Sequence, residues 1–348
     1  MPEITLGILG GGQLGSMLSV AAKEINIKTI IYCDDQEAPA KNFCDEFICG
    51  EYNDKEKIYT FANKVDVITF EFENIPFDTL NELNKLKPVS PKPSVIRLIQ
   101  HRIAEKDFVN KLNIRTTRYV HIEQKEDLSS LEDFLPGILK TTTMGYDGKG
   151  QYPIKNLKEI ETLHIDFKNE YILEKLVKLK KEISVIITRF GNNKFEIYEP
   201  IENTHKDQIL TNSKIPADIN GKLLNQSKEW AITIAEELKY IGTLCVEFFI
   251  DRNENLYVNE IAPRVHNSGH LTINAYNISQ FENHVRAVCR LEQIQIKKLY
   301  NAKMINLIGN QISHYRKSHK LNDNEFFFDY LKKEIKDKRK MGHITILS

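Results

Sequence analysis

The chain has little cysteine, no surplus of charge and no long apolar run. Five of its 348 residues are cysteines, an odd number without CxxC spacing. That usage favours reduced, mostly structural thiols over a disulfide framework. Lys and Arg together number 48 and are balanced by 48 Asp and Glu. This balance excludes a global field that would attract nucleic acid or an anionic membrane, so any anion site must be local.

The longest apolar stretches fall well short of the ~18 residues that cross a bilayer. The N-terminal segment MPEITLGILGGG lacks the charge pattern of a signal peptide and instead opens a strand. We therefore expect a cytoplasmic protein without a membrane span. A length of 348 residues suits two or three sub-domains packed as one enzyme-sized body.

The first hundred residues alternate strands with helices, and this order predicts a doubly wound parallel sheet in a domain covering residues 1–98. The predicted elements are a strand from Ile4 to Leu9, a glycine turn, a helix from Ser16 to Ile25, a strand from Lys28 to Cys33 and a strand from Val65 to Phe70.

The remaining residues read as an α+β body over 99–293, with a small lid at about 115–177, followed by a short C-terminal subdomain over 294–348. The C-terminal subdomain is predicted to hold one strand and a lysine-rich helical segment. The predicted elements are strands Gly137 to Lys140, Tyr171 to Glu174, Ile183 to Arg189, Lys194 to Ile201 and Ile305 to Gly309, a helix from Leu223 to Leu238, and a hairpin from Thr243 to Ile261.

The glycine turn, Gly10 to Gly15, matches GxGxxG after a strand, with an acid at Asp34 about twenty residues on. This is the dinucleotide fingerprint, so an NAD-dependent oxidoreductase is a competing hypothesis, and a purely structural turn is another. The physics is less specific, since glycines let backbone N–H groups approach any phosphate at a helix N-terminus. Gln13 in the turn, with Glu71 and Glu73 at another strand end, suits a ribose phosphate that carries an amine.

A second glycine loop, Gly145 to Gln151, follows Lys140 at a strand end. Such a loop can fold over a triphosphate, but the order GxxxxGK[ST] is absent, so a Walker P-loop is excluded. A hairpin turn rich in Asp-Gly is the structural alternative. Downstream, Glu174 and Glu182 are candidates to hold an adenine amino group and ribose hydroxyls, or they belong to a solvated linker.

Two apolar runs flank the polar turn Asp251 to Asn255 and predict an antiparallel hairpin. Pairing Asp251 with Leu256 places Glu247 opposite Glu260. Opposed carboxylates with Cβ atoms ~5 Å apart repel each other unless a cation lies between them, and Mg²⁺ is the obvious candidate. A solvated outer face is the alternative, and the register is an assumption.

Donor side chains crowd the segment directly after the hairpin. Arg264, His266, Asn267, Ser268 and His270 fall within seven residues. Their density beside a predicted metal hairpin favours a site for an anionic substrate. The basic run in the tail, residues 338–343, is either part of that site or a charge run without a role.

Seven motifs in this order resemble the ATP-grasp enzymes and, within them, the 5-(carboxyamino)imidazole ribonucleotide synthetases. The motifs are GGGQLG, EFEN, GYDGKGQ, ENTHKDQIL, NEIAPRVHNSGH, MINLIG and RKMGH, and they cover nearly the whole chain. The resemblance implies a pre-ATP-grasp domain before an ATP-grasp domain. It also implies ATP- and bicarbonate-dependent carboxylation of 5-aminoimidazole ribonucleotide through carboxyphosphate.

The resemblance further implies the roles of individual residues. The implied ATP contacts are Arg102, Lys140, Gly145, Tyr146, Asp147, Gly148, Lys149, Gly150, Gln151, Glu174, Lys175, Leu176, Val177, Glu182, His205, Asn259 and Glu260. The implied Mg²⁺ ligands are Glu247 and Glu260. The implied surroundings of the ribonucleotide and carboxyphosphate are Gln13, Leu14, Glu71, Glu73, Tyr146, Asp147, Lys149, Arg264, His266, Asn267, Ser268, His270, Arg339 and Lys340. Within these sets Lys140 is the candidate for stabilising the transferring phosphate, and Lys149, His270 and Lys340 for holding carboxyphosphate.

Two departures from the family pattern bear on these expectations. Ala262 stands where many ATP-grasp proteins have an Asn ligand, so a third metal ligand must come from elsewhere or be water. The chain also ends at Ser348, whereas the resemblance implies a further helix and strand. A homodimer is expected, and another ATP-grasp carboxylase or ligase is the nearest alternative function.

Overall fold

The computed structural model describes residues 4–143, 150–161, 163, 165–166, 168–318 and 320–348. Three sheets organise these residues, and helices pack against them. None of the helices in the described ranges is long and apolar enough to span a membrane.

The N-terminal sheet is parallel, as the alternation of strands and helices predicted. Its strands are β1 (Thr5–Leu9), β2 (Lys28–Cys33), β3 (Glu46–Cys49) and β4 (Val67–Phe70), in the order β3-β2-β1-β4. Its helices are α1 (Gln13–Glu24), α2 (Lys55–Asn63), α3 (Phe77–Leu86) and α4 (Pro93–Ile99). Leu6 and Ile8 face the core beside α1 while Leu9 faces the opposite core. This two-sided burial explains the continuous apolar run of β1.

The strand order reverses at β1, whose neighbours are β2 and β4. Leu9 pairs with Phe70, so β1 and β4 end side by side. The glycine turn after β1 and the acidic segment after β4 therefore meet at the carboxyl edge of the sheet. Ligands of open parallel sheets bind at such a switch point.

A small antiparallel sheet corresponds to the predicted lid. Its strands are β5 (Tyr119–Ile122), β6 (Gly137–Thr141), β7 (Gln151–Ile154) and β8 (Tyr171–Lys175), in the order β5-β8-β6-β7, with α6 (Leu157–Glu161) beside it. Leu139 and Leu173 are fully buried in the core of this sheet.

A larger antiparallel sheet takes up most of the remaining chain. Its strands are β9 (Leu179–Arg189), β10 (Phe195–Ile197), β11 (Ile201–Lys206), β12 (Ile209–Ile215), β13 (Gly242–Asp251), β14 (Leu256–Ala262), β15 (Ala302–Ile308), β16 (Glu325–Asp329) and β17 (Lys340–Leu347). The order is β14-β13-β9-β11-β12-β15-β17-β16, and β10 pairs with β9. The helices of this part are α5 (Arg102–Lys111), α7 (Gly221–Glu237), α8 (Thr272–Ala275), α9 (Gln280–Val288) and α10 (Ile312–Ser318). The last strands of the chain thus extend the sheet that carries the predicted hairpin.

Two local predictions differ from the structure. Helix α1 begins at Gln13, three residues before the predicted start, because the second half of the glycine turn is already helical. The predicted strand Lys194 to Ile201 is divided between β10 and β11. Pro200 lies in the gap and has no N–H for a strand ladder. The predicted lysine-rich helical segment had no bounds; the helix of the C-terminal subdomain is α10, while the lysine-rich residues 330–339, all described, form bends and a turn.

A buried histidine ties the N-terminal sheet to the large sheet. His284 in α9 accepts a hydrogen bond at Nδ1 from the Thr243 N–H (3.0 Å), and its Nε2 lies 2.7 Å from Thr69 Oγ1. Since Nδ1 accepts, the proton of the neutral ring is on Nε2 and is donated to Thr69. Burial lowers the pKa of His284 from 6.5 to about 4.

We expect the free energy of unfolding to fall as the pH drops from about 6.5 towards 4, because unfolded His284 binds a proton that the folded state excludes. The stabilising effect of neutral His284 is complete above pH 6.5. Burial also lowers the pKa of His343 to about 3, which acts in the same direction. His284→Gln should remove roughly 3 kcal/mol of this pH dependence. Urea unfolding at several pH values measures it. His121→Gln, at an exposed position, is the matched control, and an unchanged pH profile in His284→Gln would contradict the assignment.

Candidate active site

A large cleft lies where the described parts of the three sheets meet, and it gathers most of the predicted site. Its volume is about 900 Å³, within the range of small-molecule sites. The predicted site residues that line it are Gln13, Leu14, Glu71, Glu73, Arg102, Lys140, Gln151, Glu174, Lys175, Leu176, Val177, Glu182, His205, Glu247, Asn259, Glu260, Arg264, His266, Asn267, Arg339 and Lys340.

Of the second glycine loop, the structure describes Gly150 and Gln151. Gly145, Tyr146, Asp147, Gly148 and Lys149 lie outside the described residues, and their contacts with ATP and the ribonucleotide stay predictions. Gly150, the last glycine of the loop, has φ +69°. A Cβ at Gly150 would lie 2.6 Å from Thr141 Oγ1, so both the turn and the space require glycine there.

The first glycine turn already holds an anion, which is a carboxylate of the protein itself. The Gly12 N–H donates to Glu71 Oε1 at 2.8 Å, and a Cβ on Gly12 would lie 2.9 Å from that oxygen. Burial raises the pKa of Glu71, and the hydrogen bond from Gly12 opposes this rise. Glu71 thus occupies the N-terminus of α1, where a dinucleotide-binding turn would hold a pyrophosphate. This contact argues against the NAD hypothesis.

The carboxylate hairpin has the predicted pair but not the predicted register. Ile250, not Asp251, pairs with Leu256, and a bulge between Glu247 and Phe248 shifts the ladder by one residue. The shift restores the pairing of Glu247 with Glu260. A bulge inserts one residue and redirects the side chains beyond it. Without it, Glu247 would face a different neighbour.

An imidazole and a guanidinium approach the opposed carboxylates. His266 Nε2 lies 2.8 Å from Glu247 Oε1, and Arg102 Nη1 lies 3.5 Å from Glu260 Oε2. Burial would raise the pKa of Glu247, but His266 outweighs it and holds that pKa at about 2. Burial and the charge of Glu247 raise the pKa of Glu260. A second cation near Glu260 would therefore relieve repulsion.

The hairpin fits a divalent cation with oxygen ligands. The Glu260 side chain is 43% exposed and opens into the cleft, whereas Glu247 is 13% exposed. In the described part of the chain no three His, Cys, Asp or Glu side chains cluster as a complete metal site. Mg²⁺ commonly takes only one or two protein carboxylates and completes its shell with water and phosphate oxygens. Glu247 and Glu260 match that donor set.

Lys140, the predicted phosphate lysine, lies deep in the cleft wall. Its Nζ is 3.0 Å from Glu174 Oε2, and the Glu174 side chain is only 4% exposed. Burial would raise the pKa of Glu174, but Lys106 and Lys140 outweigh it and lower that pKa to about 2. The Glu174 carboxylate is therefore paired with lysine, and its contact with an adenine amino group or a ribose stays a prediction.

The second predicted acid, Glu182, has a different environment. Its carboxylate lies 2.6 Å from His205 Nδ1, and the Glu182 side chain is 22% exposed at the cleft. Burial would lower the pKa of His205, but Glu182 outweighs it and raises that pKa. Glu182 retains access to a ligand in the cleft and so fits a contact with ribose hydroxyls better than Glu174 does.

Ser268 and His270 do not line the cleft, contrary to the prediction of substrate contact. Both are fully buried. The Ser268 N–H donates to His266 Nδ1 at 3.3 Å, and its hydroxyl lies 2.9 Å from the same nitrogen, which directs Nε2 of His266 towards Glu247. His270 Nε2 lies 3.0 Å from Asn267 Nδ2, and burial lowers the pKa of His270 well below its usual range. A neutral, buried imidazole cannot hold an anion by charge.

Sequence reasoning assigned no site role to several charged residues around the cleft. Glu105 accepts from the Ile261 N–H at 2.6 Å, and burial raises its pKa to about 8. Lys332 lines the cleft, and its Nζ donates to the Lys340 carbonyl at 2.9 Å. For Glu105 the spacing was a usable signal, because it lies three positions after Arg102 and therefore on the same face of α5. For Lys332, in an irregular segment, no pattern marks the position.

Three family models match consecutive parts of the chain. The Ribonucleotide synthetase preATP-grasp domain matches residues 3–100, and the ATP-grasp domain matches residues 107–281. The Phosphoribosylaminoimidazole carboxylase C-terminal domain matches residues 302–348. The fold and the cleft thus define the class as an ATP-grasp ligase.

The similar proteins narrow the class further. The N5-carboxyaminoimidazole ribonucleotide synthase of Staphylococcus aureus (strain COL) is 37% identical over 355 residues, covering 99% of this chain and 92% of the relative. A crystal structure of the Staphylococcus aureus N5-carboxyaminoimidazole synthetase with ADP has a TM-score of 0.92 at 36% identity, covering 99% of this chain and 93% of that one. The Aspergillus clavatus N5-carboxyaminoimidazole synthase, in complex with ADP and 5-aminoimidazole ribonucleotide, has a TM-score of 0.90 at 27% identity, covering 99% and 94%. The chain belongs to the N5-carboxyaminoimidazole ribonucleotide synthase family, as its motifs predicted.

The hairpin generates a prediction in which two similar substitutions have opposite effects on stability. Glu260→Gln removes one of two opposed charges, so without metal the protein should be as stable as the parent or more stable by roughly 0.2–1 kcal/mol. Glu247→Gln should destabilise it by about 1–3 kcal/mol, because His266 loses a charged partner. Both should lower turnover by orders of magnitude. Thermal melts in EDTA and in Mg·ATP, with turnover assays, measure these effects.

Glu229→Gln, on the exposed face of α7, is the matched control and should change neither quantity. A Glu260→Gln protein that is destabilised but fully active would show that the carboxylate is structural.

Proposed function

We propose that the protein carboxylates the amine of 5-aminoimidazole ribonucleotide, using ATP and bicarbonate, to give N5-carboxyaminoimidazole ribonucleotide, ADP and phosphate through carboxyphosphate. The observation that carries the proposal is that a single cleft joins Lys140 and the Glu247/Glu260 pair to Arg264, Arg339 and the acids of the glycine-turn edge. Relatives of known structure bind ADP and 5-aminoimidazole ribonucleotide in the same fold.

The phosphate-transfer half of the cleft is formed by Lys140 and the carboxylate hairpin. Bicarbonate is a poor electrophile, and phosphorylating it creates a leaving group. Lys140 stabilises charge on the transferring phosphate by position and electrostatics. Mg²⁺ held by Glu247 and Glu260 would neutralise phosphate charge and align the reacting oxygens. Arg102 and His266 keep the hairpin carboxylates ionised and oriented.

The ribonucleotide half is formed at the edge of the N-terminal sheet. Arg264 is held by Glu73 through a 2.7 Å ion pair, which fixes its guanidinium beside the cleft. Arg339 and Lys340 face the same space and supply positive charge for the phosphate of the substrate. Glu73 accepts hydrogen bonds from ribose hydroxyls, while Glu71 keeps the glycine turn closed to a second anion.

Carboxyphosphate must be kept from water until the amine attacks it. Lys340 is the candidate that remains in the cleft for holding this anion, since His270 is buried behind the wall. Lys149 is the further candidate on the second glycine loop. It lies outside the described residues, and its role stays a prediction.

The proposal also covers the cellular location, the oligomeric state and the domain boundaries of the enzyme. Five free cysteines and small anionic substrates favour the cytoplasm. A homodimer is proposed on the family resemblance. The proposed boundaries remain 98/99 and 293/294.

Release of ADP should require 5-aminoimidazole ribonucleotide and bicarbonate together, because a carboxyphosphate formed without its acceptor is unproductive. A coupled assay for ADP, with each substrate omitted in turn, measures this.

Calorimetry should detect Mg·ATP binding and no NAD binding. Micromolar affinity for NAD without affinity for Mg·ATP would overturn the proposal.

Lys140→Met should lower turnover by roughly 10²- to 10³-fold, because it removes a charge aimed at the transferring phosphate. Affinity for 5-aminoimidazole ribonucleotide should change little, since that substrate lies in the other half of the cleft. Steady-state kinetics and calorimetry separate the two effects. Lys239→Met, at an exposed position after α7, is the control. Equal losses of turnover and ribonucleotide affinity would assign Lys140 a structural role.

A further inference from the structure

Lys106 is a charged residue buried behind the cleft wall, outside the set that lines the cleft. It lies in α5, and only 2% of its surface is exposed. A lysine is almost never buried this deeply unless its ammonium is paired. Its Nζ donates to Thr117 Oγ1 at 3.1 Å and to the Asn259 carbonyl at 3.3 Å, and it lies 3.4 Å from Glu174 Oε1.

Glu174 divides its charge between two lysines. Oε2 accepts from Lys140 at 3.0 Å and from the Thr117 hydroxyl at 3.0 Å, while Oε1 faces Lys106. The Thr117 hydroxyl accepts from Lys106 and donates to Glu174, so its single proton satisfies both contacts. Two lysines thus share one buried carboxylate. Neither lysine has this carboxylate to itself.

The contacts of Lys106 also join two sheets. Glu174 is in β8 of the small sheet, and Asn259 is in β14 of the large sheet, directly before Glu260. Because Lys106 contacts both strands, it holds β8, which carries Glu174, against β14, which carries Glu260. The ion pair with Glu174 and the hydrogen bond to the Asn259 carbonyl resist displacement, because breaking either leaves a polar group buried away from water.

Lys140 is sensitive to how Glu174 is shared. Burial lowers the pKa of Lys140, Glu174 opposes that effect, and Lys106 adds to the lowering. If Glu174 were left to Lys140 alone, the pair would be neutral and the attraction of Lys140 for a phosphate would be smaller.

We propose that Lys106 is a positioning residue for the phosphate site. By engaging one oxygen of Glu174, it prevents that carboxylate from neutralising Lys140. By binding the Asn259 carbonyl, it holds β14, which carries Glu260, within reach of the same phosphates. The inference rests on the proposed function, since it takes Lys140 as the lysine that binds the nucleotide phosphates.

The test uses the whole protein and a non-hydrolysable ATP analogue, Mg·AMP-PNP, with adenosine as the probe that lacks phosphate. Lys106→Met should weaken binding of the analogue about tenfold and leave adenosine binding unchanged. Adding Glu174→Gln to Lys106→Met should recover most of the lost affinity, because the competing carboxylate is gone. Calorimetry measures all three proteins without any turnover.

Lys111→Met, at the exposed end of the same helix, is the matched control and should bind like the parent. If Lys106→Met does not fold, Lys106→Gln keeps neutral donors at the position and carries the same expectation. Equal weakening of analogue and adenosine, or a double variant worse than the single one, would give Lys106 a merely structural role and overturn the inference. A parent protein that does not bind Mg·AMP-PNP would instead overturn the proposed function.

Discussion

The repulsion between Glu247 and Glu260 is the constraint on which the cleft depends. Two carboxylates opposed across one strand pair are costly unless positive charge is brought to them, and a chain of zero net charge must do so locally. Arg102 provides that charge beside Glu260, and the His266 imidazole contacts Glu247, each from a different segment. The contacts of Arg102 fix the start of α5. The helix that carries Glu105 and Lys106 is therefore anchored at the carboxylate hairpin. The arrangement keeps both carboxylates available to a cation instead of burying them as a closed pair.

Much of the fold followed from local signals. An apolar run ending in glycines predicted β1 and α1, and apolar strands separated by polar turns predicted β13 and β14. Local patterns failed where the outcome depended on one backbone feature. Pro200 divided a predicted strand, and the bulge after Glu247 shifted a register that the turn alone would have set. A bulge has no reliable sequence signature, because its position depends on packing against the neighbouring strands.

The sequence predicted which segments lie near the cleft where their residues belong to motifs. It did not predict which side chains within a segment face the cleft and which are buried behind its wall. Residues of six of the seven motifs line the cleft and MINLIG contributes none, while Ser268 and His270, predicted to contact the substrate, are buried behind the cleft wall. Glu174 was predicted to contact the nucleotide, and its carboxylate pairs with two lysines that the sequence did not connect to it. Spacing along the sequence shows which residues share a segment. It does not show which of them face a ligand, because that depends on strands from elsewhere in the chain.

The order of strands in the large sheet has a consequence for synthesis of the protein. β15 pairs with β12 and β17 pairs with β15, while Lys340 at the start of β17 lines a cleft that Gly12 also lines. The core beside α1 is completed by Phe281 and Val285 of α9, and the cleft by residues more than 300 positions after Gly12, so both depend on distant parts of the chain. A nascent chain that stops before β15 would hold the carboxylate hairpin without the basic residues that face it, and would present β12 as an open edge to other chains.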